Sequence, residues 1–352
     1  MELMKNEVSL QEAEELILAV GNENTINLVG EPGIGKTAMH GRLVAKTGFR
    51  SVYIDMANTQ LGDVGIPMPN HETKTTCLYP NEHWGFHKNE PMVIFIDEFS
   101  KPAEQAVQNM LHPLLNERQL AGFKLHPDSI VVIAGNHSSD GVGDIMKGHT
   151  TSRITTVPVR KPYWEEYVDY GTAVGFAPEM LAFVKAYPHV LASYRDPAQK
   201  DNMYIYNPKY PQKAYYCPRT GERGSNILKK RDKITRNALV ASLCGTIGYS
   251  AAHDLMAYVE LGDSLPSWDE VITNPRGARV PTNAAALCIM AYGAVQKIDR
   301  SNISAWFEYL KRTPKELQSV FCTTCSKNDD KKQILLTSTA FVNWMRENSY
   351  LF

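Results

Sequence analysis

The chain has 352 residues, 43% hydrophobic and 21% charged, with a formal net charge of −1. That length holds about two or three domains at roughly 100–200 residues each, and near-neutrality argues against coating nucleic acid by bulk charge, leaving only a local basic patch open. No apolar run is long enough to span a bilayer, and six scattered cysteines fit a reduced protein better than a disulfide framework.

The start, MELMKNEVSLQEAEE, has neither a basic n-region nor an apolar h-region, so no signal peptide is expected and the location implied is cytoplasmic. Ser9-Leu10-Gln11-Glu12 reads as a capping box that opens a helix through about Val20. A short apolar run, 25–29, then enters a glycine loop, and a helix through about Thr47 leaves it. SVYIDM (51–56) is a second strand. MVIFIDE (92–98) is a third, nearly continuous in apolar residues, as a strand buried on both faces should be. Residues 103–116 are helical in pattern, with Val107, Met110, Leu111, Leu114 and Leu115 on one face. SIVVIAGN (129–136) and ITTVPV (154–159) complete five strands. Strands alternating with helices predict an α/β fold built on a parallel sheet.

From Tyr163 onward the strand signal disappears. Helical patterns run over 164–171, 178–187, 225–243 and 251–261, then 284–296, 304–310 and 340–348. Loops rich in proline and glycine, 263–282 and 311–315, separate the later ones. The expected organisation is an α/β domain over 1–160, a helical second domain over 161–262 and a helical C-terminal extension over 263–352.

Gly30-Glu31-Pro32-Gly33-Ile34-Gly35-Lys36-Thr37, followed by Ala38, satisfies G-x-x-x-x-G-K-[ST] with a strand before it and a helix after it. The glycines let backbone N–H groups converge on phosphate oxygens, and the helix N-terminus adds its dipole. Lys36 should reach the β- and γ-phosphates, and the Thr37 hydroxyl should sit on Mg2+. Asp97 and Glu98 end the third strand: the first carboxylate suits a magnesium shell, and the second can polarise an attacking water. Asn136 ends the fourth strand, where a neutral amide can orient water against the γ-phosphate without adding charge.

Phosphate loop, hhhhDE strand, strand-ending Asn136 and then Arg153 before a fifth strand resemble the order of AAA+ ATPases. DEFSKPAEQAVQNMLHPLLNERQLAGFKLHPDSIVVIAGN is similar to the MoxR branch, and the tail from LPSWDEVITNP to FVNWMRENSYLF looks like that of MoxR-like ATPases of phage and prophage genomes. The resemblance implies a P-loop AAA+ core, ATP and Mg2+ as cofactors, and a homohexameric ring that remodels proteins. It also implies a partner that often bears a von Willebrand factor A domain. In a phage-encoded case the location would be the bacterial host cytoplasm. Asn136 matches sensor 1, Arg153 the arginine finger, with Arg160 its rival, and Arg219 in CPRT the sensor 2 arginine of the lid. Two positions depart from the branch: Ser152-Arg153-Ile154 replaces Asp-Arg-Phe, and Gly-Asn-His replaces Gln-Asn-Pro.

Residues 63–89 form an insertion that the resemblance sets near the ring pore, where Trp84 and Phe86 could grip substrate; the alternative is a surface loop packing its own aromatics. His71, Cys77, His83 and His87 lack the paired-cysteine spacing of a zinc finger. The tyrosines of DNMYIYNPKYPQKAYYCPRT, with Lys209 and Lys213, could stack on a single strand, but a lid loop packing on its neighbours is the favoured reading. Cys322-Thr-Thr-Cys325 has no second pair for zinc. QKID and SKND bear a faint likeness to a guanine-specificity element but lack its leading residue, which favours ATP. The function expected is ATP-driven remodelling of protein partners, with no membrane and with nucleic acid disfavoured. The alternative is a nucleic-acid-handling ATPase, such as a loader or replication accessory.

Overall fold

Residues 26–30, 50–55, 92–97, 130–135 and 155–159 pair as one parallel sheet in a computed structural model that describes residues 6–136, 148–208 and 212–348. The chain divides into two units, Met1–Lys161 and Pro162–Phe352. In the first, α1 (Leu10–Val20) opens with the capping box: Glu12 N donates to Ser9 Oγ at 3.1 Å, and Ser9 N donates to Glu12 Oε2 at 2.7 Å. Then follow β1 (Ile26–Gly30), α2 (Ala38–Thr47), β2 (Arg50–Asp55), α3 (Leu61–Val64) and the strands β3 (Gly65–Asn70) and β4 (Thr75–Pro80). β5 (Met92–Asp97), α4 (Gln105–Asn116), the short pair β6 (Gln119–Leu120) and β7 (Phe123–Lys124), β8 (Ile130–Gly135), α5 (Gly148–Thr151) and β9 (Thr155–Val159) complete it.

The sheet order is β2-β5-β8-β1-β9, with parallel pairing throughout. Alternation along β5 explains its unbroken apolar run. Ile94 and Ile96 pack with Val107, Leu111 and Leu114 of α4 on one face. Val93 and Phe95 pack with Ala13 and Ile17 of α1 and Met39 and Leu43 of α2 on the other. Both faces are covered by helices, so neither set of side chains tolerates a polar residue. Burying each such side chain is worth about 1.5–3 kcal/mol.

The insertion is not an irregular loop. β3 and β4 pair antiparallel, with Ile66 opposite Tyr79 and Met68 opposite Cys77. Its turn is held by Asn70 Oδ1, which accepts from the N–H groups of Glu72 and Thr73. Ile66, Met68 and Tyr79 are exposed. Trp84 and Phe86 behave otherwise. Phe86 is 3% exposed in the core under α4, with Trp84 edge-on to it at 6.0 Å. That removes the gripping role from Phe86, which is a core residue, while Trp84 is half-buried against it, in line with the alternative of a segment packing its own aromatics. Arg50 fixes this segment from β2 by donating to the carbonyls of His83 and Trp84 at 3.0 and 3.3 Å.

The second unit is helical among its described residues: α6 (Trp164–Ala173), α7 (Pro178–Ala186), α8 (Pro218–Leu228), α9 (Arg236–Ile247), α10 (Tyr249–Asp263) and α11 (Trp268–Thr273). α12 (Ala284–Lys297), α13 (Ile303–Leu310), α14 (Lys315–Ser326), α15 (Asp329–Leu336) and α16 (Thr339–Glu347) follow. Two hydrophobic clusters hold it. One centres on Met180, Phe183, Tyr216, Leu243 and Leu255, the other on Trp306, Phe307, Phe321 and Trp344. The helix read over 225–243 is two helices, broken at a 3-10 turn over Arg231–Lys233, with Thr235 capping α9.

Tyr204 and Tyr206 pack on neighbours, His189 at 4.9 Å and Tyr194 at 5.5 Å, while Tyr216 is fully buried. Lys209 lies outside the described residues. Cys322 and Cys325 are core residues of α14, where burial pushes the Cys322 thiol up to about 12 and the Cys325 thiol higher still. Such thiols stay protonated and unreactive.

Candidate active site at the carboxyl edge of the sheet

Because every strand of the sheet runs the same way, Gly30, Asp97 and Gly135 end at one edge. β8 lies between β1 and β5, which brings Asn136 between the loop after β1 and the carboxylate that ends β5. This is where open α/β sheets bind ligands.

Glu31 to Thr37 form that loop, and Ala38 opens α2. Gly33 and Gly35 turn it with φ of 77° and 111°, values at which a Cβ is strained. Lys36 is 7% exposed. Its Nζ donates to Gly30 O at 2.6 Å, Glu31 O at 2.9 Å and Asn136 Oδ1 at 3.1 Å. The Glu31 carboxylate pairs with Lys161 Nζ at 2.9 Å, both side chains buried. Thr37 is the N-cap of α2, yet its side chain makes no capping bond; the hydroxyl donates to Asp97 Oδ2 at 2.8 Å. The same Asp97 oxygen accepts from Tyr53 OH at 2.9 Å.

Glu98 stands just past the strand with φ of 52°, and its N–H donates to Ala134 O at 2.9 Å. A non-glycine residue in that conformation costs on the order of 1–3 kcal/mol, and such strain clusters at functional sites. Arg153 follows α5 and directs Nη1 toward His112 Nδ1 of α4 at 3.5 Å. Arg160 Nη1 donates to the Lys161 carbonyl at 3.1 Å. Arg219 is exposed in the first turn of α8, in the second unit. The geometry therefore joins Lys36 with Asn136 and Thr37 with Asp97, sets Glu98 beside them, and gives Arg153 a partner outside that group.

Tyr53, Lys161 and His112 carry contacts that sequence reading did not find. Tyr53 reads as an ordinary strand residue. Its partner Asp97 is 44 residues away in the chain, and those of Lys161 and His112 are 130 and 41 away, so no local pattern marks any of the three.

The residues fit the groups that the motif implies. A loop with two left-handed glycines ahead of a helix N-terminus, with a buried ammonium inside it, suits the phosphates of a nucleotide. A hydroxyl and a carboxylate that already meet are hard oxygen donors suited to Mg2+. Among the described residues, no group of three or more His, Cys, Asp or Glu is placed to hold a separate metal ion.

Sheet order and site together define an α/β P-loop ATPase core of the AAA+ type, an ATP hydrolase. Residues 25–153 match the family model described as "AAA domain (dynein-related subfamily)". No curated protein matches the chain. Among solved structures, the Thermotoga maritima RuvB Holliday junction branch migration motor is similar at 14% identity, covering 84% of this chain and 89% of that one, with a TM-score of 0.37. A point mutant of the same RuvB aligns at 14% identity over 87% and 89%, TM-score 0.36. A Cytophaga hutchinsonii structure described only provisionally as an ATPase aligns at 13% identity over 91% and 82%, TM-score 0.36.

Proposed function

We propose that the chain is a Mg2+-dependent AAA+ motor of the MoxR-like, phage-type branch, working as a homohexameric ring that remodels a protein partner. The observation that supports it most is the convergence of Lys36, Asn136, Thr37 and Asp97 at one sheet edge, next to a strained Glu98. In this reading residues 1–160 bind nucleotide, 161–262 are the lid and 263–352 the extension.

Gly30 to Ala38 surround the phosphates of ATP, the substrate of hydrolysis. Lys36 gives up the loop carbonyls and donates to the β- and γ-phosphate oxygens. Thr37 and Asp97 are the residues that would hold Mg2+, which when bound neutralises charge across those phosphates. Glu98 accepts the proton of the attacking water at its carboxylate. Asn136 orients that water. Arg153 reaches the γ-phosphate in the neighbouring subunit, where a guanidinium stabilises charge on the transferring group. Arg219 is the lid arginine that senses the same phosphate.

Net charge −1 and the exposed, apolar face of the β3–β4 hairpin favour a protein partner over nucleic acid. A partner bearing a von Willebrand factor A domain follows from the branch assignment alone. Among the described residues no helix is long and apolar enough to cross a membrane. The experiment is an ATPase assay with Mg2+ and with EDTA, in the presence of DNA or of a candidate protein partner, beside the assembly size by light scattering. Mg2+-dependent hydrolysis by an oligomer, raised by protein and not by DNA, supports the proposal. DNA-stimulated hydrolysis that falls steeply with salt favours a nucleic-acid motor.

A further inference from the structure

Asp97 Oδ2 accepts two hydrogen bonds, from Thr37 Oγ1 at 2.8 Å and from Tyr53 OH at 2.9 Å. The first belongs to the nucleotide motif. The second comes from β2, an edge strand that no part of the motif includes.

The Tyr53 ring is 43% exposed, so burial does not hold it in place. Stacking does. It lies nearly parallel to Phe95, with an interplanar angle of 12° and centroids 6.2 Å apart, and it also stacks on His40 at 5.8 Å. His40 stacks in turn on Phe95 at 5.6 Å and meets Ser51 Oγ at 3.2 Å. Aromatic contacts of this kind are worth about 0.5–1.5 kcal/mol beyond area burial. The three rings come from α2, β2 and β5, the element that follows the phosphate loop, the edge strand and the strand that carries Asp97. Their stack fixes where the phenol hydroxyl points.

We propose that Tyr53 is a positioning residue for the metal-side carboxylate: its hydroxyl holds Asp97 in the orientation that Mg2+ bound with the nucleotide requires. This rests on the assignment of Thr37 and Asp97 to that ion. Thr37 would hold the ion through a hydroxyl lone pair while still donating its proton to Asp97. Tyr53 would donate to the same carboxylate without being a ligand of the ion, and its stacked ring fixes that bond. Groups that hydrogen-bond to metal-site carboxylates typically change metal affinity 10- to 100-fold when removed. An exposed phenol belongs at the low end of that range.

The test titrates Mg2+ into the full chain bound to a fluorescent ADP analogue, with parent and Tyr53→Phe in parallel. Phenylalanine retains the ring and removes the hydroxyl alone, and equal melting temperatures check the fold. In EDTA both should bind the analogue equally, while Tyr53→Phe should need about 10-fold more Mg2+ to reach the tight complex. Equal Mg2+ midpoints overturn the inference. So does an affinity loss of the same size in EDTA, which marks a structural role. A parent with no Mg2+ dependence at all removes the metal-site assignment, and this inference with it, a result distinct from equal midpoints in a Mg2+-responsive parent.

Discussion

Lys36 Nζ donates to Asn136 Oδ1 at 3.1 Å, joining the loop after β1 to the residue after β8 across 100 positions of sequence. Lys36 Nζ also donates to the carbonyls of Gly30, at the end of β1, and Glu31, in the loop, so the ammonium already sits among oxygen acceptors. Phosphate oxygens carrying negative charge are the stronger acceptors.

Lys36→Ala should therefore weaken nucleotide binding by about 10- to 100-fold or more, the equivalent of one or more charged hydrogen bonds. Isothermal titration with a non-hydrolysable ATP analogue measures it. An unchanged affinity removes Lys36 from the cradle.

Glu98→Gln should retain ATP and lose turnover by about 10²–10⁴-fold, because the amide keeps the shape but accepts no proton. Single-turnover hydrolysis beside a binding titration separates the two effects. Near-parental turnover would assign the base to another residue.

Gly35→Ala should cost about 1–3 kcal/mol of stability, since φ of 111° strains any Cβ, and this Cβ would also meet Leu10 Cδ1 at 3.1 Å. Urea unfolding reads the cost. A neutral substitution would mean that the loop relaxes freely, against the preformed cradle.

Burial lowers the His40 pKa from its ordinary 6.5, partly offset by a hydrogen bond with the Val93 backbone. Between that lowered value and 6.5 the unfolded chain binds more protons than the folded one, so this contribution to stability is full above 6.5 and is lost as pH falls. His40→Phe, which retains an aromatic ring without titrating, should lose less melting temperature than the parent between about pH 7.5 and 5.5. Parallel curves would show that His40 protonates equally in both states.

The nucleotide core was legible because its signals are local. β5 reads as a buried strand from its apolar run, and the loop reads as a cradle from glycine spacing. The helical unit was less so. The pattern over 225–243 reads as one long helix, although Thr235, whose side chain accepts from Ala238 N, marks a new N-terminus. α14 and α15 were not read as helices, though Pro314 precedes one and Asn328 caps the other by accepting from Lys331 N. In the insertion, the alternation of Ile66 and Met68 with prolines hid a hairpin, since proline in a run argues against a strand unless the strand is an edge. Tyr53 escaped because its role depends on a partner in another strand, and no local pattern shows that.

The ring reading depends on Arg153, and the most direct measurement mixes two inactive variants. Arg153→Ala should bind ATP and hydrolyse it 10³–10⁵-fold more slowly, the order of effect known for arginine fingers. Glu98→Gln should be inactive while keeping its finger. Co-assembled, the two should recover part of the parental ATPase rate, because some interfaces then pair an intact Glu98 with an intact Arg153 from next door. Recovery on mixing is the result this account predicts. A monomer with full activity, or an Arg153→Ala variant that turns over at the parental rate, would contradict it.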